Sequence, residues 1–192
     1  MVKASRTPIA ATAWLFAVAA AFAQPRAIDT GKSVMKVRVY KGGLLSGLGH
    51  EHEISAPVAN GAVDTTSHDV MLHINSRSLR VTDQGISDKD REEIQSNMTG
   101  VKVLDAEHFP EIVFRGTGAD TGGKGAWVVK GSLTLHGQTH PVTVNVREEA
   151  GHFTGVARLR QSDFGITPIK VAGGMIRVKD EIQIEFDIQL AR

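Results

Sequence analysis

The stretch that decides the fold is AWVVKGSLTLHGQTHPVTVNVRE, residues Ala126–Glu148. Apolar and polar residues alternate in its first half, and after Gly137 the alternation resumes with a valine at every second position. A period of two is typical of a β-strand with one buried and one solvent-exposed face. Two such runs joined by a short glycine-containing connection predict an antiparallel hairpin. Because Pro141 lacks an amide hydrogen, we expect it at the start of the returning strand.

The same alternation recurs along most of the chain. Further predicted strands lie in Ser33–Lys41, Gly61–Thr65, Val70–Asn75, Ile112–Arg115, Phe153–Arg160 and Glu181–Leu190. Strands with one apolar face and no second layer of helices must roll up or stack. The pattern therefore predicts an all-β, mainly antiparallel fold whose sheet is closed or nearly closed. A barrel of about eight strands has room inside for packed side chains or for one slender ligand, and the alternation leaves both interiors open.

One segment has a helical period instead. Ser87, with Asp90 three residues later, resembles a capping box, and acidic residues in a first turn favour a helix start. Gly100 stands where a C-terminal cap is expected. The predicted apolar stripe consists of Ile94, Met98 and Val101. We therefore predict one inserted helix over residues 88–99, which together with the glycine-rich Gly42–Gly49 segment is a candidate gate.

The N-terminus has the features of a secretory signal peptide. Lys3 and Arg6 precede an alanine-rich apolar run, and Ala21-Phe22-Ala23 fits the small-x-small cleavage pattern. We predict a signal peptide over 1–23, no stable membrane span after cleavage, and a single mature domain over 24–192. The alternative is an uncleaved N-terminal anchor.

Composition excludes several classes of function. The full chain has a formal net charge of +1 and no basic block, which argues against nucleic acid as a partner. It has no cysteine, so a disulfide framework and a cysteine nucleophile are both excluded. We found no nucleophile elbow, zinc-protease helix motif or phosphate loop. The sequence predicts no enzymatic activity and no cofactor.

Four ordered motifs resemble the YceI-like family, exported bacterial proteins whose lipocalin-like barrel binds polyisoprenoid lipids. They are VLDAEHFPEIVF (103–114), GSLTLHGQTHPVTVNV (131–146), LRQSDFGI (159–166) and VKDEIQIEFDI (178–188). The resemblance implies a lipocalin-like closed barrel of about eight strands across the mature chain. It also implies a periplasmic or secreted, non-enzymatic protein that holds a long-chain isoprenoid lipid or a quinone-like ligand. The sequence leaves open whether two barrels pair as a homodimer.

Consistent alternation predicts which side chains face the interior. They are Val37, Val39, Leu72, Ile74, Ile112, Phe114, Trp127, Val129, Leu133, Val142, Val144, Phe153, Ile184 and Phe186. The resemblance makes these residues the expected ligand-binding set, since each methylene buried from water contributes about 0.8 kcal/mol. The alternative is that they simply fill the interior, and that the protein acts through its surface.

Two histidines offer a different function. His50 and His52 share one face of a strand, and with His73 or His136 they have the donor chemistry of a divalent metal site. The other interpretations are solvated histidines on a polar rim, or a hydrogen-bonding site for the polar head of a ligand.

Other polar residues near the motifs have simpler explanations. Arg158, Arg160 and Lys170 have the charge to bind an anionic head group, although a solvent-exposed outer face explains them more simply. Asp163 is expected to cap backbone amides of its own turn.

Overall fold

The computed structural model describes residues 24–43 and 51–191. Within these residues the chain forms one sheet of twelve strands, and its one α-helix is α1, Asp88–Thr99. The strands are β1 Arg26–Ala27, β2 Val34–Gly42, β3 His52–Ser55, β4 Val58–Val63, β5 Asp69–Asn75, β6 Arg80–Val81, β7 Glu111–Gly123, β8 Ala126–Leu135, β9 Gln138–Glu149, β10 His152–Arg160, β11 Lys170–Val171 and β12 Ile176–Gln189.

Neighbouring strands are antiparallel throughout. The order across the sheet is β1-β4-β5-β7-β8-β9-β10-β12-β2-β3-β6, and β11 pairs with β12 off this path. The sheet curls, so that the residues at the end of β1 also contact the residues that follow β12. Ile28 forms an isolated bridge with Leu190, and the amide of Ala191 donates to the carbonyl oxygen of Ala27 at 2.8 Å. The segment around β1 therefore lies between β4 and the end of β12.

The predicted class is confirmed: the fold is all-β and antiparallel, with one inserted helix. The sheet has more strands than the eight expected, partly because two long strands are interrupted. A turn in which Ser33 donates its amide to the carbonyl oxygen of Asp29 separates β1 from β2. At Ala56-Pro57 the chain leaves β3 and enters β4, where proline has no amide hydrogen to continue the ladder.

The hairpin of β8 and β9 is confirmed, and its turn is tight. His136 and Gly137 form a two-residue connection with φ of 51° and 72°, as a type I′ turn requires. The expected position of Pro141 was wrong: β9 begins at Gln138, and Pro141 lies inside it, opposite Ser132. On the side of β9 that faces β10, the missing amide hydrogen of Pro141 removes no hydrogen bond, because β9 pairs with β10 only from Asn145 onward.

Helix α1 has the predicted bounds. The Ser87 hydroxyl accepts a hydrogen bond from the Asp90 amide at 3.1 Å, and the Gly100 amide donates to the Ser96 carbonyl at 2.9 Å. Met98 is buried as expected. Val101 was wrongly assigned to the apolar stripe: it is 76% exposed, because the helix ends before it.

No helix among the described residues is long and apolar enough to cross a membrane. The predicted signal peptide and most of the Gly42–Gly49 segment lie outside the residues that the structure describes.

Candidate functional site

The concave side of the sheet surrounds a cavity of about 270 Å³. Its lining is almost entirely apolar and comes from nine strands and α1. All fourteen side chains predicted to face the interior line it: Val37, Val39, Leu72, Ile74, Ile112, Phe114, Trp127, Val129, Leu133, Val142, Val144, Phe153, Ile184 and Phe186. Their role in binding a ligand stays a prediction.

Strand register explains why so many of these side chains converge. Residues directly opposite each other on paired strands point to the same face of a sheet. Leu72 lies opposite Phe114, which lies opposite Leu133, so that three strands contribute one apolar row. A second row on the other side of the cavity contains Ile54, Val37, Ile184 and Ala157. Once one inward residue of a strand is fixed, alternation therefore fixes the others up to the next bulge, such as the one between Gly116 and Gly118.

One end of the cavity is covered by the segments between strands. Leu79, Met98, Val103, Leu104 and Ile166 line it there, and all except Val103 are buried. These residues were missed as site residues. Met98 carried a sequence signal through the helical stripe, whereas the others come from turns in which no period marks a direction.

A buried polar residue also lines the cavity near this covered end. Gln161 follows β10 and is 7% exposed. Its side-chain Nε2 donates to the carbonyl oxygen of Lys179 at 2.9 Å, which uses one of the two N–H donors of the amide inside the protein.

The opposite end carries a polar rim, which consists of Asp64, Thr65, His68 and Glu148. The first three belong to the turn between β4 and β5, and Glu148 lies near the end of β9, opposite Phe153. The His68 ring packs on Trp127 with 4.7 Å between ring centroids. Sequence reasoning missed the rim, although Glu148 has the same parity as the inward valines of β9.

Hydrogen bonds hold the Asp64 carboxylate in place. Its Oδ1 accepts from the backbone amides of Thr66 at 2.8 Å and Ser67 at 3.1 Å. The amide of Ser67, then that of Thr66, and more weakly the charge of His68, hold the pKa of Asp64 below its ordinary value of 3.8. Asp64 is therefore ionised at neutral pH.

The histidines of the metal alternative are not brought together in the described structure. His50 lies outside the described residues, and Nδ1 of His52 lies 2.6 Å from Oδ2 of Asp83. His136 instead anchors the hairpin turn, with Nδ1 3.0 Å from the Phe164 carbonyl oxygen. Over residues 24–43 and 51–191, no three His, Asp or Glu side chains are grouped to hold a metal ion.

The remaining polar candidates lie away from the cavity. Arg158, Arg160 and Lys170 are exposed and do not line it. The capping role expected of Asp163 belongs to Asp180 instead, whose carboxylate accepts from the Ser162 amide at 2.8 Å and from its hydroxyl at 2.6 Å.

Comparison with known proteins matches this architecture to one family. The YceI-like domain model matches residues 27–190. A UPF0312 protein of Vibrio cholerae is 31% identical over 60% of this chain and 61% of its own length, and one of Vibrio parahaemolyticus is 32% identical over 55% and 59%. The chain thus spans less than two thirds of the length of these relatives.

Solved structures show the same fold. The crystal structure of Burkholderia cenocepacia BcnA superposes with a TM-score of 0.61 at 22% identity, covering 86% of this chain and 99% of BcnA. The Campylobacter jejuni YCEI protein superposes at 0.52 with 14% identity, covering 72% and 81%. At these identities the likeness concerns the fold alone. Since the family model spans nearly the whole described chain, this chain belongs to the YceI-like family.

Proposed function

We propose that this chain is an exported, non-enzymatic binding protein that holds a polyisoprenoid, or a quinone-like molecule with an isoprenoid tail, in its cavity. The observation that carries the proposal is the cavity itself, a single apolar space lined by inward side chains of nine strands. Family membership supports a binding function, and the particular lipid is our inference from the chemistry of the lining.

The physical argument favours a long and slender apolar ligand. Ligand pockets usually have volumes of roughly 300–1,000 Å³, and this cavity of about 270 Å³ lies just below the lower end of that range. Each methylene moved from water into the cavity contributes about 0.8 kcal/mol. A branched hydrocarbon chain thus gains affinity without specific polar contacts.

In this proposal the curled sheet works as a closed, lipocalin-like container. The contacts around Ile28 and Leu190 join its two sides, and α1 with Leu104 covers one end. A closed wall matters because an apolar ligand is protected from water only if the sheet leaves no gap along its length.

The non-enzymatic part of the proposal rests on where the titratable groups lie. Among the described residues that line the cavity, those that titrate are Asp64, His68 and Glu148, all at the rim. The apolar stretch of the cavity thus offers no acid, base or nucleophile to a reacting group. Export to the periplasm or beyond is proposed from the sequence of 1–23.

The experiment that tests the proposal is lipid extraction. The protein with its native N-terminus is expressed in a bacterial periplasm, purified without detergent, extracted with organic solvent, and the extract is analysed by mass spectrometry. We expect about one prenyl chain per folded protein. A folded protein that yields no lipid, and takes none up from added prenyl alcohol, would contradict the proposal.

A further inference from the structure

The polar lining of the cavity is concentrated at one end. Apart from Gln161, whose Nε2 bonds to a backbone carbonyl, every polar side chain that lines the cavity belongs to the rim. A ligand with a long apolar tail therefore has one favourable orientation, with its tail toward α1 and its polar head at Asp64, Thr65, His68 and Glu148.

The rim is acidic. Among the described residues that line the cavity there is no lysine and no arginine, whereas two carboxylates stand at the rim. Arg26 lies beside the rim, opposite Val63, but its guanidinium donates to the carbonyl oxygen of Ala191 at 2.9 Å. An anionic head group at the rim thus meets two carboxylates, without a lysine or arginine among the described lining residues to offset them.

Both carboxylates have acceptor capacity to spare. The two backbone amides that hold Asp64 both bond to Oδ1. The nearby Ser67 hydroxyl also lowers the pKa of Asp64, but it donates its hydrogen bond to Oδ2 of Asp69 at 2.8 Å, so Oδ2 of Asp64 keeps lone pairs for a further donor. The Glu148 side chain has no partner within the described residues and is exposed. Ionised carboxylates accept hydrogen bonds and donate none, so they match a head group that carries O–H or N–H donors.

We propose that the rim selects the head group of the ligand: it accepts a neutral hydroxyl or a cationic amine and disfavours a phosphate or carboxylate. The inference rests on the proposed function and names the class of amphiphile that the cavity takes, an isoprenoid alcohol or amine. The ligand's donor bonds to Asp64 Oδ2 or Glu148, while an anionic head loses water and is repelled by both carboxylates, against which the rim side chains offer it only the Thr65 hydroxyl and the His68 ring as donors.

The test compares three ligands that share one geranylgeranyl tail and differ only in the head: the alcohol, the amine and the monophosphate. Each is titrated into residues 24–192, and binding is followed by the emission of Trp127, the one tryptophan of that segment. We expect the alcohol and the amine to bind at least about tenfold more tightly than the monophosphate at physiological ionic strength.

A double variant, Asp64→Asn with Glu148→Gln, identifies the cause. Asparagine retains an oxygen for the Thr66 and Ser67 amides, so the turn is preserved. We expect the monophosphate to gain affinity several-fold and the amine to lose affinity, while the uncharged alcohol, which can also bond to the side-chain amides, changes least. The matched control is Glu181→Gln, a carboxylate on an exposed side chain of β12 that does not line the cavity, for which all three affinities should stay the same.

The outcomes separate this inference from the proposed function. Tight binding of the alcohol together with equal or tighter binding of the monophosphate overturns the head-group inference and leaves the carrier function standing. Binding of none of the three overturns both. If the double variant does not fold, Glu148→Gln alone must shift the monophosphate in the same direction, since this exposed side chain has no bond to lose.

Discussion

Two adjacent residues of β10 show how alternation along a strand separates side chains that line the cavity from side chains on the outer surface. Ala157 lines the cavity and is 9% exposed, whereas Val156 points to the outer face and is 42% exposed. Replacing Ala157 with Phe places a ring in the space proposed for the ligand, and we expect prenyl alcohol to bind at least about tenfold more weakly. The affinity is measured by titration calorimetry.

The matched control for that substitution is Val156→Phe, which adds a ring to the same strand on the opposite face. It should bind prenyl alcohol like the unmodified chain. Equal affinity of both variants would show that the ligand lies outside the cavity, provided that circular dichroism confirms that both are folded.

Asp83 is a buried carboxylate with a structural task. It is 5% exposed, and its two oxygens lie 2.6 Å from the amide nitrogen of Glu53 and from Nδ1 of His52. We expect Asp83→Ala to lower the free energy of unfolding by about 2 kcal/mol, because both partners lose their bond. Urea unfolding measures this, and Glu107→Ala, at an exposed carboxylate, should change little.

The direction of a single side chain could be predicted from the sequence only where the residue lies in a regular element with a known period. Most inward residues that lie in a strand follow from alternation, as Val37 and Phe186 did, whereas Ala119 has the opposite parity to Phe114 because a bulge lies between them in β7. Asp64 and His68 lie in a turn, where the direction of a side chain follows from local backbone angles that no period records. Asp180 was missed because the amide it caps is 18 residues away in sequence, whereas Asp163 stands next to it.

Among the elements, helix α1 depends on its first cap. Ser87 accepts from the Asp90 amide and donates its hydroxyl to the Asp90 carboxylate at 2.8 Å. We expect Ser87→Ala to cost about 1 kcal/mol of unfolding free energy, because an amide of the first turn loses its acceptor. Ser96→Ala, an exposed serine within the same helix, should be neutral or slightly stabilising. If both variants unfold at the same urea concentration, the cap contributes nothing to the fold.

The short 3-10 turn at Gln161–Phe164 is held to β12 by hydrogen bonds to the carboxylate of Asp180. The Ser162 hydroxyl, and after it the Ser162 amide, lower the pKa of Asp180 below its ordinary value of 3.8. A lowered carboxyl pKa stabilises the fold at pH values above 3.8, and this contribution is lost as the pH falls through the lower value in the folded state.

Asp180→Asn should therefore melt a few degrees below the unmodified protein at about pH 6, and the difference should shrink toward about pH 3. Thermal melts across this range provide the measurement, with Asp163→Asn as the control at the neighbouring exposed carboxylate. A difference that stays constant with pH would mean that the Asp180 charge does not hold the turn.

The first and last residues of an element were predictable where a capping residue or a turn residue in the sequence ends the element. Ser87 and Gly100 fixed α1 to the residue, and Gly137 located the connection between β8 and β9, although the turn consists of His136 and Gly137 and not of Gly137 and Gln138 as predicted. The interruptions that separate β1 from β2 and β3 from β4 were not expected, since they follow from the curl of the whole sheet. A bend demanded by neighbouring strands leaves little trace in the local pattern.

For the whole molecule, the decisive property is whether the sheet is closed around the cavity. The seam consists of the Ile28–Leu190 bridge and of two backbone bonds of 2.8 Å, from Asp29 to Gln189 and from Ala191 to Ala27. Ile28 is also 6% exposed and packs with Ile188 in the core at this end. If these bonds close the sheet around the cavity, the hydrogen bonds of the seam should break only when the whole sheet unfolds.

Amide hydrogen exchange measures that closure directly. We expect the amides of Ile28, Asp29 and Ala191 to exchange as slowly as those of the β8–β9 hairpin, because a closed sheet breaks its ladders together. Ile28→Asp should accelerate exchange at the seam first, since a carboxylate buried there has no partner. Fast exchange at all three amides in the unmodified protein, with slow exchange in the hairpin, would show an open sheet whose cavity admits water along one side.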